Sequence, residues 1–491
     1  MLSKSQYIRG LQCHKSLWLY KHRPELRQEP DAATQALFDM GHTVGDLACE
    51  LFPGGTEIEF NHEDFSGMAA KTKQLVEGGT EVIYEATFRE QGVFAMADIL
   101  VRETDGWSMY EVKASTKVKN YHLNDAAVQW FALSNAINLK RAFIVHVNKQ
   151  YVRDGKLDIH QLFTIEDVTG IVESRQPSIP HALADMNSML KLLEPDIDIG
   201  MHCSDPFDCD FMGHCWCHVP DRSVFNLYRF SAKRKFELYQ QGVVQYQDLD
   251  FDDLNSMQVI QVKTALQNEE YINTDIINDF LGTLEYPLNF FDFETFMEAI
   301  PRYDCQRPYS QIPFQYSLHV VTEDGVIEHR EFLGDEFSDP REDLVNQMLA
   351  DIELSGSIVA FNMGFEKRVI KELANIFPQQ HDQLLALNDR FVDLIDPFRN
   401  LGYYHPEFNG SFSLKSILPA MFPDDEELDY KHLNISDGEM AMGAFAKLYL
   451  VEDPKERAQI KRALLDYCHL DTLAMVKIWL RLKEIGSGQH G

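Results

Sequence analysis

An aspartate and a Glu-x-Lys triplet on neighbouring predicted strands have the composition of a hydrolytic metal site. Asp98 lies in VFAMADILV, and Glu111, Val112 and Lys113 lie in WSMYEVKAS. Because side chains alternate along a strand, Glu111 and Lys113 share a face, and an antiparallel neighbour would bring Asp98 to it. The two carboxylates and the Val112 carbonyl can hold Mg²⁺, while Lys113 can orient or deprotonate a water. The alternative is an ordinary solvated strand face.

A second acidic group is spread over the C-terminal half of the chain. FFDFETF places Asp292 and Glu294 on one face of a strand. Glu366 follows a turn and begins a helix, and Tyr467 and Asp471 share a helix face because they are four residues apart. Such carboxylates can hold two metal ions, which stabilise the attacking and leaving oxygens in phosphodiester hydrolysis. An exposed strand edge and a polar helix face are the alternatives, although an unpaired carboxylate among phenylalanines is costly to bury.

Three evenly spaced cysteines and a distant fourth indicate a metal site. The four are Cys13, Cys203, Cys209 and Cys215. We expect a cytoplasmic protein, because the N-terminus does not resemble a secretory signal and no apolar run is long enough to span a bilayer. Cysteines in that reducing compartment are free thiols or metal ligands rather than disulfides. A tetrahedral zinc could use three of them with His214 or His218, or Cys217 in place of Cys13.

The elements that must position these residues form two α/β patterns joined by a polar helical stretch. The predicted domains are 1–220, a helical connector at 221–284 that looks like a helix-hairpin-helix, and 285–491. Strands are predicted for VIYEATFRE, VFAMADILVRE, WSMYEVKAS and RAFIVHVN in the first domain, and for LNFFDFETF, IPFQYSLHVV, GVIEHREFL and SIVAFN in the last. Helices are predicted after Met40, from Tyr121, over 165–193 with a break at the prolines, and over KERAQIKRALLDYCHLDTLAMVKIWLRLKEI.

The first acidic group resembles the RecB-like branch of the PD-(D/E)XK nucleases. In that branch a helix-borne histidine, an aspartate, a Glu-x-Lys and a following glutamine line one active site. The matching positions are His42, Asp98, Glu111, Lys113 and Gln129, with Glu85 on the preceding strand. The resemblance implies a restriction-endonuclease-like fold for 1–220, with Mg²⁺ or Mn²⁺ at Asp98 and Glu111. Where the branch usually has a tyrosine one turn after the glutamine, this chain has Leu133.

The cysteine pattern is similar to that of RecB-like nucleases that carry a [4Fe–4S] cluster, which have one cysteine before the nuclease core and three after it. The resemblance implies that Cys13, Cys203, Cys209 and Cys215 ligate the cluster. Such a cluster pins the first helix to the end of the domain and takes no part in catalysis. Zinc remains the alternative metal.

The second acidic group resembles the DEDD exonucleases, and within them the tyrosine variant found in the proofreading domain of family B DNA polymerases. The resemblance implies a ribonuclease H-like fold for 285–491 and two Mg²⁺ or Mn²⁺ ions. Asp292 would bridge the ions, Glu294 and Asp471 would complete the first, and Tyr467 would position the attacking water. The third acid is usually aspartate, whereas here it is Glu366.

The charge of the chain argues against a protein that coats nucleic acid or an anionic membrane. Its 45 basic and 77 acidic residues give a net charge of −32. The charge is uneven, since residues 113–156 hold eight basic side chains against two acidic ones. We expect nucleic acid as the partner, held through this local basic stretch and through bound metal, and no membrane partner.

Together the two resemblances predict a metal-dependent nuclease with two active sites, DNA being favoured. The C-terminal site would act as a 3′–5′ exonuclease, in DNA repair or in defence against mobile elements. Two alternatives remain. One is a nucleic-acid-binding scaffold with degenerate sites, which Leu133 and Glu366 favour because both differ from the usual residues. The other is an exonuclease that processes RNA.

Overall fold

The structure, a computed structural model, describes residues 1–488. In this part of the chain the protein is mixed α/β, as the sequence predicts, and it divides into two compact units. The first unit comprises Met1–His218 and Glu298–Ser310, and the second comprises Val219–Met297 and residues 311–488. Residues 221–284, the predicted connector, belong to the second unit.

The first unit is built on a mixed sheet. Its strands are β1 Leu2–Ser3, β2 Thr56–Glu57, β3 Val82–Glu90, β4 Val93–Arg102, β5 Trp107–Lys113, β6 Leu139–Val147 and β7 Phe163–Asp167. Their order is β2-β3-β4-β5-β6-β7, with β1 paired to β4. β4 is antiparallel to both β3 and β5, whereas β5 and β6 run parallel. The predicted strands of this region are therefore present, and β4 and β5 are adjacent as the first site requires.

The helices of the first unit cover this sheet. They are α1 Lys4–Gln12, α2 His14–His22, α3 Ala32–Cys49, α4 Phe65–Gly78, α5 Asn120–Ser134, α6 Ile159–Leu162, α7 Thr169–Arg175, α8 Ile179–Met189 and α9 Met212–Cys215. α3 begins earlier than predicted because the Asp31 side chain caps it by accepting the Thr34 N–H. The predicted helix over 165–193 starts later, since residues 163–167 pair with β6 as a strand.

Adjacent residues of β5 lie in different apolar clusters, which identifies the two faces of the sheet. Met109 packs in one cluster with Val128 of α5, and Tyr110 packs in the other with Val44 and Ala48 of α3. Side chains at alternate positions share a face, so Glu111 and Lys113 are on the α5 side with Met109.

The second unit has its own mixed sheet. Its strands are β8 Tyr271–Ile272, β9 Leu288–Phe296, β10 Ile312–Val321, β11 Ile327–Leu333, β12 Ile358–Ala360, β13 Phe391–Asp393 and β14 Tyr403–Tyr404. The main sheet has the order β11-β10-β9-β12-β13, and β8 pairs with β14 apart from it. β9 is antiparallel to β10 and parallel to β12, so it is the strand at which the sheet changes direction.

The helices of the second unit include the long C-terminal helix that the sequence predicts. They are α10 Ala232–Gln240, α11 Ser256–Gln267, α12 Thr274–Leu281, α13 Arg341–Asp351, α14 Gly364–Ile376, α15 His381–Asn388, α16 Asp396–Arg399, α17 Leu414–Met421, α18 Gly438–Lys447 and α19 Pro454–Gly486. None of the helices within residues 1–488 is long and apolar enough to cross a membrane.

The alternation of β9 divides the core of the second unit. Phe290 packs with Trp479 and Ile478 of α19, whereas Phe291 and Phe293 pack in the cluster that contains Ile370 of α14. Asp292 and Glu294 alternate with Phe291 and Phe293, and they are therefore on the side that α19 covers. The negative charges of the second acidic group must therefore be neutralised on the buried face under α19.

Candidate active sites

Asp98 lies at the first site, where the backbone pairing between β4 and β5 ends. The β4–β5 ladder ends at the pair Ile99–Tyr110, and the Asp98 Oδ2 accepts the Val112 N–H at 2.6 Å instead. By register Glu85 of β3 lies opposite Asp98, at a break in the β3–β4 ladder. Glu85 has a positive φ of 55°, a conformation that is costly for a residue with a side chain.

Glu111 is the centre of a dense ionic network. Its Oε1 accepts hydrogen bonds from Lys113 Nζ at 2.6 Å and from Lys4 Nζ at 2.7 Å. Its Oε2 accepts one from Gln129 Nε2 at 2.5 Å. Lys113 Nζ also donates to Asp125 Oδ2 at 2.5 Å, and Lys4 Nζ is 3.7 Å from that oxygen. The structure thus brings together Glu111, Lys113 and Gln129, three of the residues predicted for this site.

The charges of this network act in opposite directions on its two predicted metal ligands. Burial and the Glu111 charge raise the pKa of Asp98 to about 8. Burial also acts to raise the pKa of Glu111, but the ammonium groups of Lys113 and Lys4 outweigh it and hold that pKa below its usual range. Burial chiefly raises the pKa of Glu85 to about 7. Glu111 is therefore ionised at neutral pH, whereas Asp98 holds a proton there.

His42 stands apart from the network. It is exposed on α3, the helix that packs on the Tyr110 side of the sheet. No hydrogen bond or ion pair within the described residues joins it to Asp98, Glu111 or Lys113. The role that the resemblance gives to His42 stays a prediction.

Lys4 and Asp125 belong to the network but were missed in the sequence. Asp125 lies four residues before Gln129 on α5, and this spacing places both on one helix face. That signal could have identified Asp125. Lys4 starts α1, far away in sequence, and no periodic pattern indicates that it returns to β5. Leu133, on the same helix as Gln129, is fully buried in the apolar core.

The four predicted cysteine ligands line one small cavity, together with Trp216 and His202. Burial raises the pKa of Cys215 to about 11, and the nearby sulfurs of Cys203, Cys209 and Cys13 contribute to this rise. Cys217, the alternative ligand, is exposed and does not line the cavity.

The spacing of the four sulfur atoms bears on the choice of metal. Within the described residues, no three of them all lie within 4.8 Å of one another. Tetrahedral zinc, with Zn–S bonds of about 2.3 Å, would hold its sulfurs about 3.8 Å apart. Within the described residues, the four sulfur atoms are therefore not grouped as a single tetrahedral ion would require.

Ionic contacts tie the two ends of the cysteine pattern together. Arg9 of α1 forms a bidentate pair with Asp210, at 2.5 and 2.9 Å, and Arg27 donates to the same carboxylate at 2.6 Å. The Ser16 N–H points to the Cys13 Sγ at 3.5 Å. The N-terminal helices are thereby held against residues 203–215 without any contribution from a metal.

The second site gathers its acids around β9. Asp292 and Glu294 come from β9, Glu366 from the first turn of α14 and Asp471 from α19. Glu294, Glu366 and Asp471 are buried. A carboxylate oxygen each of Asp292 and Glu294 and the Sγ of Cys468 lie within 4.8 Å of one another. The charges of Asp471 and Glu366 act on both Asp292 and Glu294, and those of three of the acids act on Tyr467, so these residues lie near one another. Cys468 is an addition that the sequence did not predict.

Two tyrosines face the acids. Tyr430 donates its hydroxyl hydrogen bond to Asp471 Oδ1. Its ring centre is 5.9 Å from that of Tyr467. Burial and the Asp471 charge raise the pKa of both phenols above the usual range, so they remain protonated donors. Tyr430 lies in a short 3₁₀ turn, where no spacing relates it to α19, and the sequence analysis missed it.

Basic side chains compensate the acids of the second site weakly, since Arg368 acts on Glu366 and Lys415 acts on Asp471 without an ion pair in the described residues. No ion pair or hydrogen bond from a lysine or arginine reaches Asp292, Glu294, Glu366 or Asp471 within residues 1–488, and the Glu366 Oε2 is a buried oxygen without a hydrogen-bond partner. Burial, then mutual repulsion, raises the pKa of Asp292 and of Glu294. Burial raises the pKa of Glu366 to about 8 and that of Asp471 to about 7. A divalent cation is the group that this arrangement fits.

Asp393 has a structural task next to this site. Its Oδ1 accepts the Asn362 N–H at 2.7 Å and the Ile395 N–H at 3.3 Å. Asn362 has a φ of 69° at the turn between β12 and α14. Asp393 thereby fixes the turn that leads to Glu366.

A cavity of about 480 Å³ adjoins the second site and is lined by Tyr467, Asp471, Tyr430, Arg399, Lys415, Phe361 and Phe412, among others. The Arg399 Nε is buried and has no hydrogen-bond partner. The cavity thus combines aromatic faces, two cations and the edge of the acidic group.

Comparisons with known proteins give no activity. Residues 289–413 match the family described as "Domain of unknown function (DUF2779)". The matched stretch contains Asp292, Glu294 and Glu366 and ends before α19. No solved structure matches this chain.

Curated relatives from mollicutes are similar to part of the chain. "Uncharacterized protein MG366" of Mycoplasma genitalium is 28% identical over 214 residues, which are 40% of this chain and 32% of the relative. "Uncharacterized protein MG366 homolog" of Mycoplasma pneumoniae is 28% identical over 219 residues, 41% of this chain and 32% of the relative. "Uncharacterized protein UU173" of Ureaplasma parvum serovar 3 is 26% identical over 228 residues, 42% of this chain and 33% of the relative. The match thus spans about a third of each relative's length.

Proposed function

We propose that the second unit is a metal-dependent phosphodiesterase that trims nucleic acid from its 3′ end, with DNA favoured as the substrate. The observation that carries the proposal is the buried group of four acids, Asp292, Glu294, Glu366 and Asp471, which form no ion pair with a basic side chain within the described residues. Their arrangement around β9 supports the resemblance to the DEDD exonucleases and a ribonuclease H-like fold.

The same four carboxylates would hold Mg²⁺ or Mn²⁺. When bound, the cations would supply positive charge to the attacking and leaving oxygens of the phosphodiester. Tyr467 then acts as a hydrogen-bond donor that holds the attacking water, since its raised pKa keeps the phenol protonated. Tyr430 holds Asp471 in place through its hydroxyl group. Glu366 is one methylene longer than the usual aspartate, and its free Oε2 is available for such a cation.

The adjoining cavity supports nucleic acid as the substrate. Arg399 and Lys415 offer cations for phosphate groups. Phe361 and Phe412 offer rings on which a base can stack. A volume of about 480 Å³ is enough for a terminal nucleotide.

The first unit is proposed to be a RecB-like PD-(D/E)XK domain, with Asp98 and Glu111 as its metal ligands and Lys113 beside them. A binding scaffold is the second candidate for this unit, and one observation favours it. Both oxygens of Glu111 already accept charge-assisted or amide hydrogen bonds, from Lys4, Lys113 and Gln129. Three of the roughly four lone-pair positions of the carboxylate are then taken, so a metal ion would have to use the remaining position on Oε2 or displace a donor.

The cysteine cavity is proposed to hold a [4Fe–4S] cluster through Cys13, Cys203, Cys209 and Cys215. The cavity that these four cysteines line, and from which the exposed Cys217 is missing, supports this set of ligands. Its part would be structural, since it would add a covalent link between the N-terminal helices and residues 203–215.

One experiment tests the activity and assigns it. The full chain is given Mn²⁺ and end-labelled single- and double-stranded DNA and RNA, alongside the variants Asp292→Asn and Lys113→Ala. We expect stepwise shortening of 3′ ends by the wild type and by Lys113→Ala, and a loss of at least a hundredfold in Asp292→Asn.

Asp466→Asn is the matched control, because Asp466 lies on α19 next to Tyr467 but pairs with Arg462 on the helix surface. Absence of cleavage by the wild type on every substrate would refute the enzyme proposal. Preference for RNA would support the RNA-processing alternative. A loss in Lys113→Ala alone would move the activity to the first unit.

A further inference from the structure

Three histidines from three elements meet beside the acidic site of the second unit. His319 comes from β10, His329 from β11 and His469 from α19. His319 and His329 are cross-strand partners. The three ring centres are 4.3 to 4.9 Å apart, and one ring nitrogen of each histidine lies within 4.8 Å of the other two. The proposed exonuclease chemistry does not involve this group, and the sequence did not predict it.

We propose that His319, His329 and His469 bind one divalent transition-metal ion of the zinc class. Neutral imidazole nitrogens are preferred ligands of such ions, and three histidines with one open position form a known type of zinc site. The site would be separate from the carboxylate site, whose oxygen ligands suit Mg²⁺ and Mn²⁺.

The distances between the ring nitrogens fit a tetrahedral ion. His469 Nδ1 and His329 Nε2 are 3.3 Å apart. Zn–N bonds of about 2.0–2.1 Å at a tetrahedral angle place two ligand nitrogens about 3.3–3.4 Å apart. The pair is therefore already at the separation that one shared zinc ion would impose.

A hydroxyl group orients the ring of His319. Thr472 Oγ1 lies 2.8 Å from His319 Nδ1, which leaves the opposite nitrogen of His319 for a ligand bond. Ser317 Oγ lies 2.6 Å from Thr472 Oγ1 and 2.9 Å from His329 Nε2, the nitrogen that faces His469, so a metal ion at this nitrogen would replace the hydrogen bond with Ser317. For His319, a hydrogen bond of this kind to the second nitrogen fixes the tautomer of a metal-bound histidine.

The rings of His319 and His329 are held in their neutral form, which is the form that binds metal. Burial, then the proximity of His329 and His469, lowers the pKa of His319 to about 3, and burial lowers that of His329 to about 4. The Glu331 Oε2 lies 4.0 Å from His329 Nε2.

Access and a fourth ligand are both available. A cavity of about 470 Å³ is lined by His329, His469 and Glu331. The open position can therefore be taken by water or by the Glu331 carboxylate. Because the site joins β10, β11 and α19, a bound ion would tie α19 to the sheet at the helical turn that also carries Asp471.

The test measures zinc and cobalt binding to the full chain in excess Mg²⁺, which keeps the carboxylate site occupied. Wild type is compared with His329→Ala and His469→Ala, and His62→Ala is the control because His62 is highly exposed in the first unit. We expect wild type and His62→Ala to bind one more equivalent than the other two variants, whose affinity at this site falls at least a hundredfold.

The cobalt spectrum separates this site from the cysteine cavity. A His₃ site gives tetrahedral Co²⁺ bands without the sulfur charge-transfer band of a thiolate site. We expect these bands in the wild type and their loss in His469→Ala, with an unchanged far-ultraviolet circular dichroism spectrum. Equal stoichiometry in all four proteins would overturn the proposal and leave a hydrogen-bonded histidine cluster. If a variant fails to fold, a lack of zinc-induced shifts in the histidine ring nitrogens of the wild type by NMR would overturn it equally.

Discussion

At the residue scale, the two acidic sites differ in what compensates their charge. In the first unit Lys4 and Lys113 donate to Glu111, so that the carboxylate is neutralised by the protein itself. In the second unit the carboxylates of Asp292 and Glu366 have no such donor within the described residues, and burial raises their pKa values. A buried group of like charges is stable only with protons or cations. This is why we place metal-dependent catalysis in the second unit.

Tyr467 and Tyr430 should fail in different ways when their hydroxyl groups are removed. Tyr467→Phe is expected to lower kcat at least tenfold with little change in KM, because it removes the water-positioning donor, whose hydroxyl group also contacts Asp471. Tyr430→Phe removes the hydrogen bond to Asp471 and should weaken Mn²⁺ activation about tenfold. Steady-state rates over a Mn²⁺ titration separate the two effects, with Tyr286→Phe, on a partly exposed side chain, as the control. Identical profiles for the two variants would contradict these roles.

The raised pKa values predict how the stability of the metal-free protein depends on pH. The folded-state pKa of Glu366 is about 8 and that of Asp471 about 7, whereas an unfolded carboxyl group has a pKa of about 4. Between about pH 4 and pH 8 the folded protein therefore binds more protons, so its free energy of unfolding falls as the pH rises. Glu366→Gln should flatten this slope by up to about 1.4 kcal/mol per pH unit.

Urea unfolding in chelator at several pH values measures this slope. Glu342→Gln is the control, because Glu342 is exposed on α13. Mg²⁺ should restore stability mainly at the upper end of the pH range, where it no longer competes with protons. A slope that Glu366→Gln leaves unchanged would show that this carboxyl group is not held protonated.

At the element scale, the cysteine cavity depends on loops rather than on regular structure. Three of its four cysteines lie in residues 203–215, where the regular elements are only single helical turns. Arg9, Arg27 and Asp210 brace that segment against α1. Such short elements have little cooperative stability of their own, and a shared cluster would supply the missing constraint.

The cysteines should therefore divide into ligands and a bystander. Cys13→Ser is expected to remove the brown colour and visible absorption of the cluster and to lower the midpoint of thermal unfolding. Cys217→Ser should leave both unchanged, because Cys217 is exposed outside the cavity. Iron and sulfide analysis of the two purified variants decides the matter. One tightly bound zinc ion in a colourless wild type would favour the zinc alternative instead.

Two glycines test how strictly the second sheet fixes its backbone. Gly356 has a φ of 81°, and a Cβ there would lie 2.0 Å from the Pro287 carbonyl oxygen, just before β9. Gly325 has a φ of 87° but nothing within 4 Å of the same position. We expect Gly356→Ala to lower the free energy of unfolding by about 3 kcal/mol or more, and Gly325→Ala by about 1 kcal/mol. Urea denaturation measures both, and equal losses would contradict the close approach.

How far the sequence could predict these elements depends on whether a pattern was local. The strands β9 and β10 follow from short apolar runs, which are buried on both faces, and the helix α19 follows from helical periodicity. Within α19 the spacing of Tyr467 and Asp471 was enough to place both on one face. Lys4 and Tyr430 could not be foreseen, because a turn or chain end brings each to its site from a distance without a periodic signal. The same holds for His319, His329 and His469, which come from three separate elements.

At the scale of the whole molecule, a net charge of −32 must be reconciled with a polyanionic substrate. The overall field repels nucleic acid, so attraction has to come from bound cations and from a few local basic side chains. In the second unit these are Arg399 and Lys415 at the cavity beside Asp471. Substrate affinity should therefore depend on a small number of phosphate contacts.

The salt dependence of substrate binding measures that number. Two neutralised phosphates on a single strand predict a slope of about −1.4 for the logarithm of affinity against that of salt concentration, so a fourfold rise in salt weakens binding about sevenfold. Lys415→Gln should halve the slope, whereas Lys71→Gln, on an exposed lysine of the first unit, should not change it. Binding of a labelled oligonucleotide to Asp292→Asn at constant free Mg²⁺ gives these slopes. A slope near zero or positive would mean that screening of the overall repulsion outweighs the local contacts, and a slope unaffected by Lys415→Gln would remove that side chain from the interface.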